Sequence, residues 1–322
     1  MEFRLEHTPI SPEKKIDIND KILLIGSCFT EHMHAQLNQY KFSAVQNPNG
    51  TLFNPISIFK AIESYIGLDM PIDNDLFFQN GLWNNWHFHS SHSHEVKSDA
   101  LSGMIGQIQL AHEVLKNADW LFITLGSAFV YQKEDQEIVA NCHKLPATHF
   151  SKRLLEPIEI IRGFRSLFDH LQIFNKDIKV IFTISPVRHL RDGFVENNRS
   201  KAVLIHAVDK ISQEIPDCFY FPAYELIIDD LRDYRFFAED MVHPNYLATK
   251  YVWEKFATSY IDGKTREVMK EIEQLNTAMI HKPMHPNSTE HQKFITKFRN
   301  ITIDLSNRFP ELDFSKELTH FN

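Results

Sequence analysis

The sequence predicts an α/β protein with about five parallel strands, helices over the sheet and a helical C-terminal appendage. Three observations carry this expectation. Short apolar, β-branched runs recur along the chain and end at turn or functional residues. Longer segments with helical spacing separate them, the alternation that a parallel sheet needs for its crossovers. A chain of 322 residues with 43% hydrophobic content is long enough to bury the core of one such domain with insertions.

The elements follow in order. Lys21 to Ile25 (KILLI) is a buried strand, and EHMHAQL beyond it opens a helix. Ala44 to Gln46 supplies a short strand, and Pro55 to Ile66 a helix that starts on proline. Leu101 to Asn117 is a helix leading into the strand Trp120 to Leu125. Pro157 to Phe174, Val180 to Ile184, Lys201 to Ile215 and Phe219 to Phe221 continue as helix, strand, helix and strand. YLATKYVWEKF closes this region as a helix. Beyond about Asp262 the character changes. A charged helical pattern from Lys264 to Gln274 precedes HKPMHPNSTEHQKF and another mixed helical stretch. Residues 1–262 therefore form the core domain, and 263–322 a helical appendage packed on it.

The bulk properties exclude several classes. A formal charge of -8 and a pI near 6.1 argue against a nucleic-acid partner, which requires a dense basic surface. No run of about 18 apolar residues suggests a membrane span. The first twenty residues are charged and proline-broken, unlike a secretory signal. Three scattered cysteines, Cys28, Cys142 and Cys218, are too few for a disulfide scaffold or a thiolate zinc site. A cytoplasmic location is expected, with no cofactor. Oligomeric state is not encoded legibly.

The chemistry concentrates at two places. The first strand runs into Gly26, Ser27, Cys28 and Phe29 and then a helix, which places Ser27 at a turn on the carboxyl edge of the sheet, where open α/β sheets bind ligands. Far downstream, DYRFFAEDMVHPN puts Asp240 three residues before His243. A nucleophilic hydroxyl needs a base, and an imidazole needs a carboxylate to hold its tautomer and charge. Ser27 as nucleophile, His243 as base and Asp240 as its orienting acid make a catalytic triad. Cys28 is the rival nucleophile, because a thiolate is favoured at a helix N-terminus. Only one of two neighbouring side chains at a tight turn faces His243.

The Gly26 to Phe29 segment together with Asp240 to His243 resembles the SGNH hydrolases, and more narrowly the GSCFA domain family. The likeness extends over about residues 20 to 260 through NPNGTLFNP, WNNWHFHSSHSH, ITLGSAF, NCHK and SPVRHLRDGF. Thr30 stands where the family's name has alanine. The resemblance implies a three-layer, flavodoxin-like fold and ester hydrolysis through an acyl-enzyme. It further implies an oxyanion hole built from the nucleophile's N–H, a second-block glycine, met here by Gly50, and a third-block asparagine. The third block ends in Leu125, Gly126 and Ser127 instead, leaving Ser127 as substitute donor.

The remaining polar clusters are candidates for lining the cleft. His87, His89, His92 and His94 form an HxHxxHxH array that matches no strong metal motif, so a structural or substrate-lining role is expected, with no metal. Asn49, Asn84, Asn85, Asn141 and His143 are further polar candidates. Arg188, His189, Arg191, Arg199 and Lys201 lie in a segment read as a loop through residue 201. They can hold an anionic substrate group or form a solvated surface. The insertions at 81–96 and 187–201 are expected to shape the cleft. The expected partner is a small-molecule or carbohydrate ester. A non-catalytic ligand- or glycan-binding module and an acyltransferase are the competing functions.

Overall fold

The computed structural model describes residues 5–322. In chain order the elements are β1 (Lys21–Gly26), α1 (Phe29–Gln39), β2 (Ser43–Gln46), α2 (Pro55–Gly67), β3 (Leu76–Gln79), β4 (Leu82–Asn85) and α3 (Lys97–Lys116). Then come β5 (Trp120–Leu125), β6 (Phe129–Gln132), β7 (Ile138–Val139), β8 (Ser151–Leu154), α4 (Pro157–Phe174), β9 (Lys179–Ile184), α5 (Gly193–Glu214) and β10 (Cys218–Phe221). A short α6 (Ala223–Glu225) runs into a π-helical turn, Leu226–Leu231, before α7 (Tyr246–Tyr260), α8 (Gly263–Met279), α9 (Thr289–Arg308) and α10 (Ser315–His320).

The main sheet has the order β10-β9-β5-β1-β2, with every pairing parallel. This is the flavodoxin-like winding, whose direction reverses between β1 and β5. Side chains alternate across the sheet as strand geometry requires. Leu23, Ile25, Leu121, Ile123, Val180 and Phe182 meet α2, α3, α4 and α5 on one face. Ile22, Leu24, Trp120, Phe122 and Ile181 meet α1 and α7 on the other. Both faces are covered, which explains why the strands read as continuous apolar runs. Val268, Ile272 and Leu275 of α8, with Leu305 of α9 and Phe321, bury into the same cluster as α1 and α7.

Two insertions leave the three layers. The hairpin β3–β4 lies before α3, and a three-stranded antiparallel sheet β7-β6-β8 fills the chain between β5 and α4. Neither announces itself in the sequence by regular alternation. The stretch read as a loop through residue 201 is also more ordered than expected. Gly193, with φ of 86°, ends the loop, and α5 starts there, eight positions before the expected Lys201.

Gly26 fixes the exit of β1. Its φ is 139°, and a Cβ there would lie 2.1 Å from the carbonyl oxygen of Thr124. Close pairing with β5 at this point therefore excludes a side chain. Gly26→Ala should lose more than about 3 kcal/mol through backbone strain and a clash with fixed main chain. Urea denaturation checks it, and a loss under about 0.5 kcal/mol would contradict the packing described.

Candidate active site at the carboxyl edge of the sheet

The winding reversal opens a crevice beyond the ends of β1 and β5, and the Gly26–Ser27–Cys28 turn lies in it. The ladder runs one residue past the strand: Ser27 N–H donates to Thr124 O at 3.0 Å. That continuation turns the Ser27 side chain inward against Gly126, where a Cβ would sit 3.2 Å from Ser27 Cβ. Ser27 is 0% exposed, and its hydroxyl has no hydrogen-bond partner. Cys28 is the N-cap of α1 and half-buried. Burial, and then Glu31, push its thiol pKa up, opposed by its own N–H, Lys201 and the N–H of Phe29.

Asp240 and His243 form the expected pair. His243 Nδ1 lies 2.6 Å from Asp240 Oδ2, and their side chains are 48% and 50% exposed. Asp240 Oδ1 accepts the N–H groups of Val242 at 2.9 Å and His243 at 3.0 Å. The His243 backbone N–H, then its ring, then the Val242 N–H hold the Asp240 carboxyl down at about 2. An ionised Asp240 keeps the proton on Nδ1 and leaves the Nε2 lone pair outward. His243 makes no hydrogen bond to Ser27 or Cys28 among the described residues.

Arg188 braces this loop from outside. Its guanidinium donates to Met241 O at 3.2 Å, its N–H donates to Val242 O at 3.3 Å, and it lies 4.0 Å over the Phe237 ring. Arg188 is thus engaged with the Asp240–His243 loop. The rest of the expected basic cluster also disperses. Arg199 pairs with Glu196 on the surface, and Lys201 is buried. Arg191 stays exposed beside a cleft.

The three proposed oxyanion donors are engaged elsewhere. Besides Ser27 N–H, Gly50 N–H donates to Asn47 O at 2.7 Å and Ser127 N–H to Phe53 O at 3.0 Å. The Ser127 hydroxyl lies 3.2 Å from Ser200 Oγ. By contrast, the N–H groups of Cys28 and Phe29 open α1 without a carbonyl acceptor among the described residues and lie beside the thiol. They are the orphan donors of a helix N-terminus.

A cavity of about 570 Å³ adjoins this edge, lined in part by Phe53, His89, Ser127, Asn141, His189 and Arg191. His89, Asn141 and His189 therefore do reach the cleft. Burial, then Lys201 and His243, pull the His189 pKa down to about 4, so it is neutral at physiological pH. Asn49, Asn85 and His87 line a different cavity, of about 490 Å³, against α2. Asn49 accepts from Tyr65 at 2.8 Å and His87 contacts Glu137 at 2.8 Å. Asn84 is buried and bonded to Leu82 O at 2.7 Å. His143 is buried, with Nε2 2.8 Å from Asn85 O. The histidine array diverges: His92 packs edge-on to Phe88, and His94 faces Asp99 at 3.7 Å. Among the described residues no three histidine, cysteine or acidic side chains converge to hold a metal ion.

The residues that sequence reasoning missed sit on α5. Asn197 accepts from the His189 N–H at 2.9 Å, and Ser200 Oγ accepts from the Ala128 N–H at 2.7 Å. Both bind loops of the cleft from the buried face of a helix. Polar residues in the apolar stripe that continues to Leu204 and Ile211 are the signal that identifies them.

A flavodoxin-like sheet with a histidine–aspartate pair and a helix-capping turn beyond the ends of its strands defines an α/β protein with a candidate site at the carboxyl edge. The chain belongs to the GSCFA family: the model of that family matches residues 21–256. The model described as GSCFA domain protein, C-terminal domain, matches residues 272–322. No curated protein matches the sequence.

Proposed function

We propose that this chain is an acyl-ester hydrolase, or an acyltransferase, in which the Cys28 thiol replaces the Ser27 hydroxyl as nucleophile. The observation that carries the reading is the pair at the end of β1: a half-buried thiol at the N-cap of α1 beside a serine with no exposed surface. The raised thiol pKa calls for a base at the moment of attack. His243 takes the Cys28 proton on Nε2 as sulfur bonds to the acyl carbon and the carbonyl pair moves onto oxygen. The N–H groups of Cys28 and Phe29 receive that oxyanion. Collapse expels the alcohol, protonated by His243, and leaves a thioester. Water, or a second alcohol, then attacks with its proton passing to His243, and the carboxylic acid or new ester departs as Cys28 regains its proton. Likeness to the SGNH hydrolases supports the route, with sulfur in place of oxygen. Rings of Phe53, Phe129 and Tyr131 and the amides of Asn141 and Asn197 along one cavity suit an O-acylated carbohydrate, whose faces stack and whose hydroxyls hydrogen-bond.

The test is to quench the protein during turnover of an activated acetyl ester and locate the acetyl group by peptide mass spectrometry. Acetyl on Cys28 is expected. Acetyl on Ser27 would restore the serine as nucleophile. A second reading, a binding module without catalysis, is favoured by the absence, among the described residues, of a hydrogen bond from His243 to Ser27 or Cys28. It predicts no acylation while a glycan ligand still binds.

A further inference from the structure

The cavity at the carboxyl edge is positively charged in an acidic protein. Aspartate and glutamate outnumber lysine and arginine by 42 to 34 over the chain. Around the cavity of about 570 Å³ the balance inverts. Among the described residues Lys144, Lys152 and Arg191 line it, with Asp192 as the one carboxylate. That carboxylate is engaged by the Lys152 ammonium. Lys152 also lies 4.4 Å over the Phe129 ring and 5.6 Å over that of Tyr131, so it braces the aromatic wall. Arg191 and Lys144 are exposed, and among the described residues no carboxylate stands within ion-pair distance of either. Charges of one sign around a concavity focus its field and concentrate ions of the other sign there.

The two unpaired cations are placed by separate stretches of backbone. Lys144 sits in a tight turn before β8, closed by Leu145 N–H donating to Cys142 O at 2.9 Å. At its centre His143 and Lys144 have φ of 47° and 61°. Successive left-handed residues in such a turn are usually asparagine and glycine, so a lysine there is strained. Buried His143 holds the turn, with Nε2 2.8 Å from Asn85 O and its ring edge-on to Phe77 and Trp86. Strain of this kind collects at ligand sites. Arg191 comes from the loop after β9, in a helical turn Leu190–Asp192. That turn is anchored just before its start, where the His189 N–H donates to Asn197 at 2.9 Å.

We propose that the cavity selects an acidic ligand: the O-acylated sugar that it admits carries its own carboxylate or phosphate, received by Arg191 and Lys144. A guanidinium pairs with either group through two parallel hydrogen bonds, and the lysine adds a point charge. Lys152 stays with Asp192 and keeps Phe129 and Tyr131 in place for the sugar ring. A neutral sugar gains the stacking and the amide contacts alone. The acyl group belongs to the ester chemistry proposed above, on which that part rests, whereas the charge preference is measurable without turnover.

Cys142, half-buried on the wall of the same cavity, is the reporter. Iodoacetate and iodoacetamide alkylate a thiol by the same chemistry and differ in charge, so the ratio of their rates on the Cys142 peptide cancels the ionisation of the thiol. The ratio is measured in the parent and in a variant carrying Lys144→Gln and Arg191→Gln, with folding checked by circular dichroism. It should fall about fivefold or more in the variant, the effect of removing unit charges several ångströms away near a surface. Glucuronate or glucose-6-phosphate should slow the iodoacetamide reaction of Cys142 saturably in the parent and not in the variant, and which of them does so separates carboxylate from phosphate. Glucose should protect at least about tenfold less well. An unchanged ratio in the folded variant, or protection by glucose equal to that by the acids, overturns the proposal. If the variant does not fold, the parent decides: its preference for iodoacetate should shrink with added salt, and a preference indifferent to salt overturns the proposal. A charge preference at Cys142 without ester turnover by the parent would retire the hydrolase reading and keep the acidic ligand. Turnover through Cys28 with no charge preference would do the reverse.

Discussion

Cys28→Ala should abolish ester turnover, a loss on the order of 10⁵- to 10⁶-fold in kcat, the scale of deleting a nucleophile that works as a unit with its base. Ser27→Ala should keep activity within about tenfold. The two outcomes separate because the neighbours differ in burial. Ser27 continues the β1–β5 ladder and carries a buried hydroxyl without a partner, whereas Cys28 caps α1. An unsatisfied buried hydroxyl costs about 1–3 kcal/mol, so Ser27→Ala should be neutral or stabilising in urea denaturation. Steady-state rates on one activated ester and two denaturation curves decide the matter. The reverse pattern, with Ser27→Ala inactive and Cys28→Ala active, would mean that the turn rotates to bring the hydroxyl into the cleft.

Asp240→Asn should lower kcat by about 10⁴-fold with a smaller change in KM, the effect of leaving a catalytic imidazole in the wrong tautomer. The carboxylate has three donors, two backbone N–H groups and the His243 ring. The asparagine retains an acceptor for the backbone but cannot balance an imidazolium. The pH dependence has a definite sign. The folded carboxyl is held at about 2, below its ordinary range, so its contribution to stability is present above about pH 4 and disappears as pH falls towards 2. The stability difference between parent and Asp240→Asn should therefore be present at neutral pH and vanish near pH 2. Acid denaturation followed by circular dichroism checks this. A kcat for Asp240→Asn within about tenfold of the parent would remove Asp240 from the chemistry.

The layered fold was legible because its strands are buried on both faces and its helices start on recognisable residues. Trp120–Leu125 and Pro157–Phe174 have the bounds read from the sequence, since β-branched runs and an N-terminal proline mark them unambiguously. The antiparallel β7-β6-β8 insertion was not legible, because its strands are of two to four residues and too short for alternation to register. The Asp240–His243 pair was legible because a spacing of three suits one tight turn. Which of Ser27 and Cys28 is fully buried was not. That depends on whether the ladder ends at Gly26 or one residue later, and a one-residue difference in register reverses the side-chain direction. Likewise Lys201 sits in a segment read as a substrate-holding or solvated loop until the start of α5 moves back to Gly193, where its side chain is buried.

The β7-β6-β8 insertion has one more consequence. The chain leaves the main sheet after Leu125, builds this small sheet, and rejoins the layers at Pro157 without altering the strand order. Phe129, Tyr131 and Asn141, which line the cleft, all belong to that excursion, while Cys28, Asp240 and His243 do not. The residues proposed for the chemistry and those lining the cavity thus stand on separate stretches of chain. A relative with a different excursion at this point would inherit the same reactive edge behind a different door, and exchanging residues 129–154 between two such chains is the direct route to changing what enters.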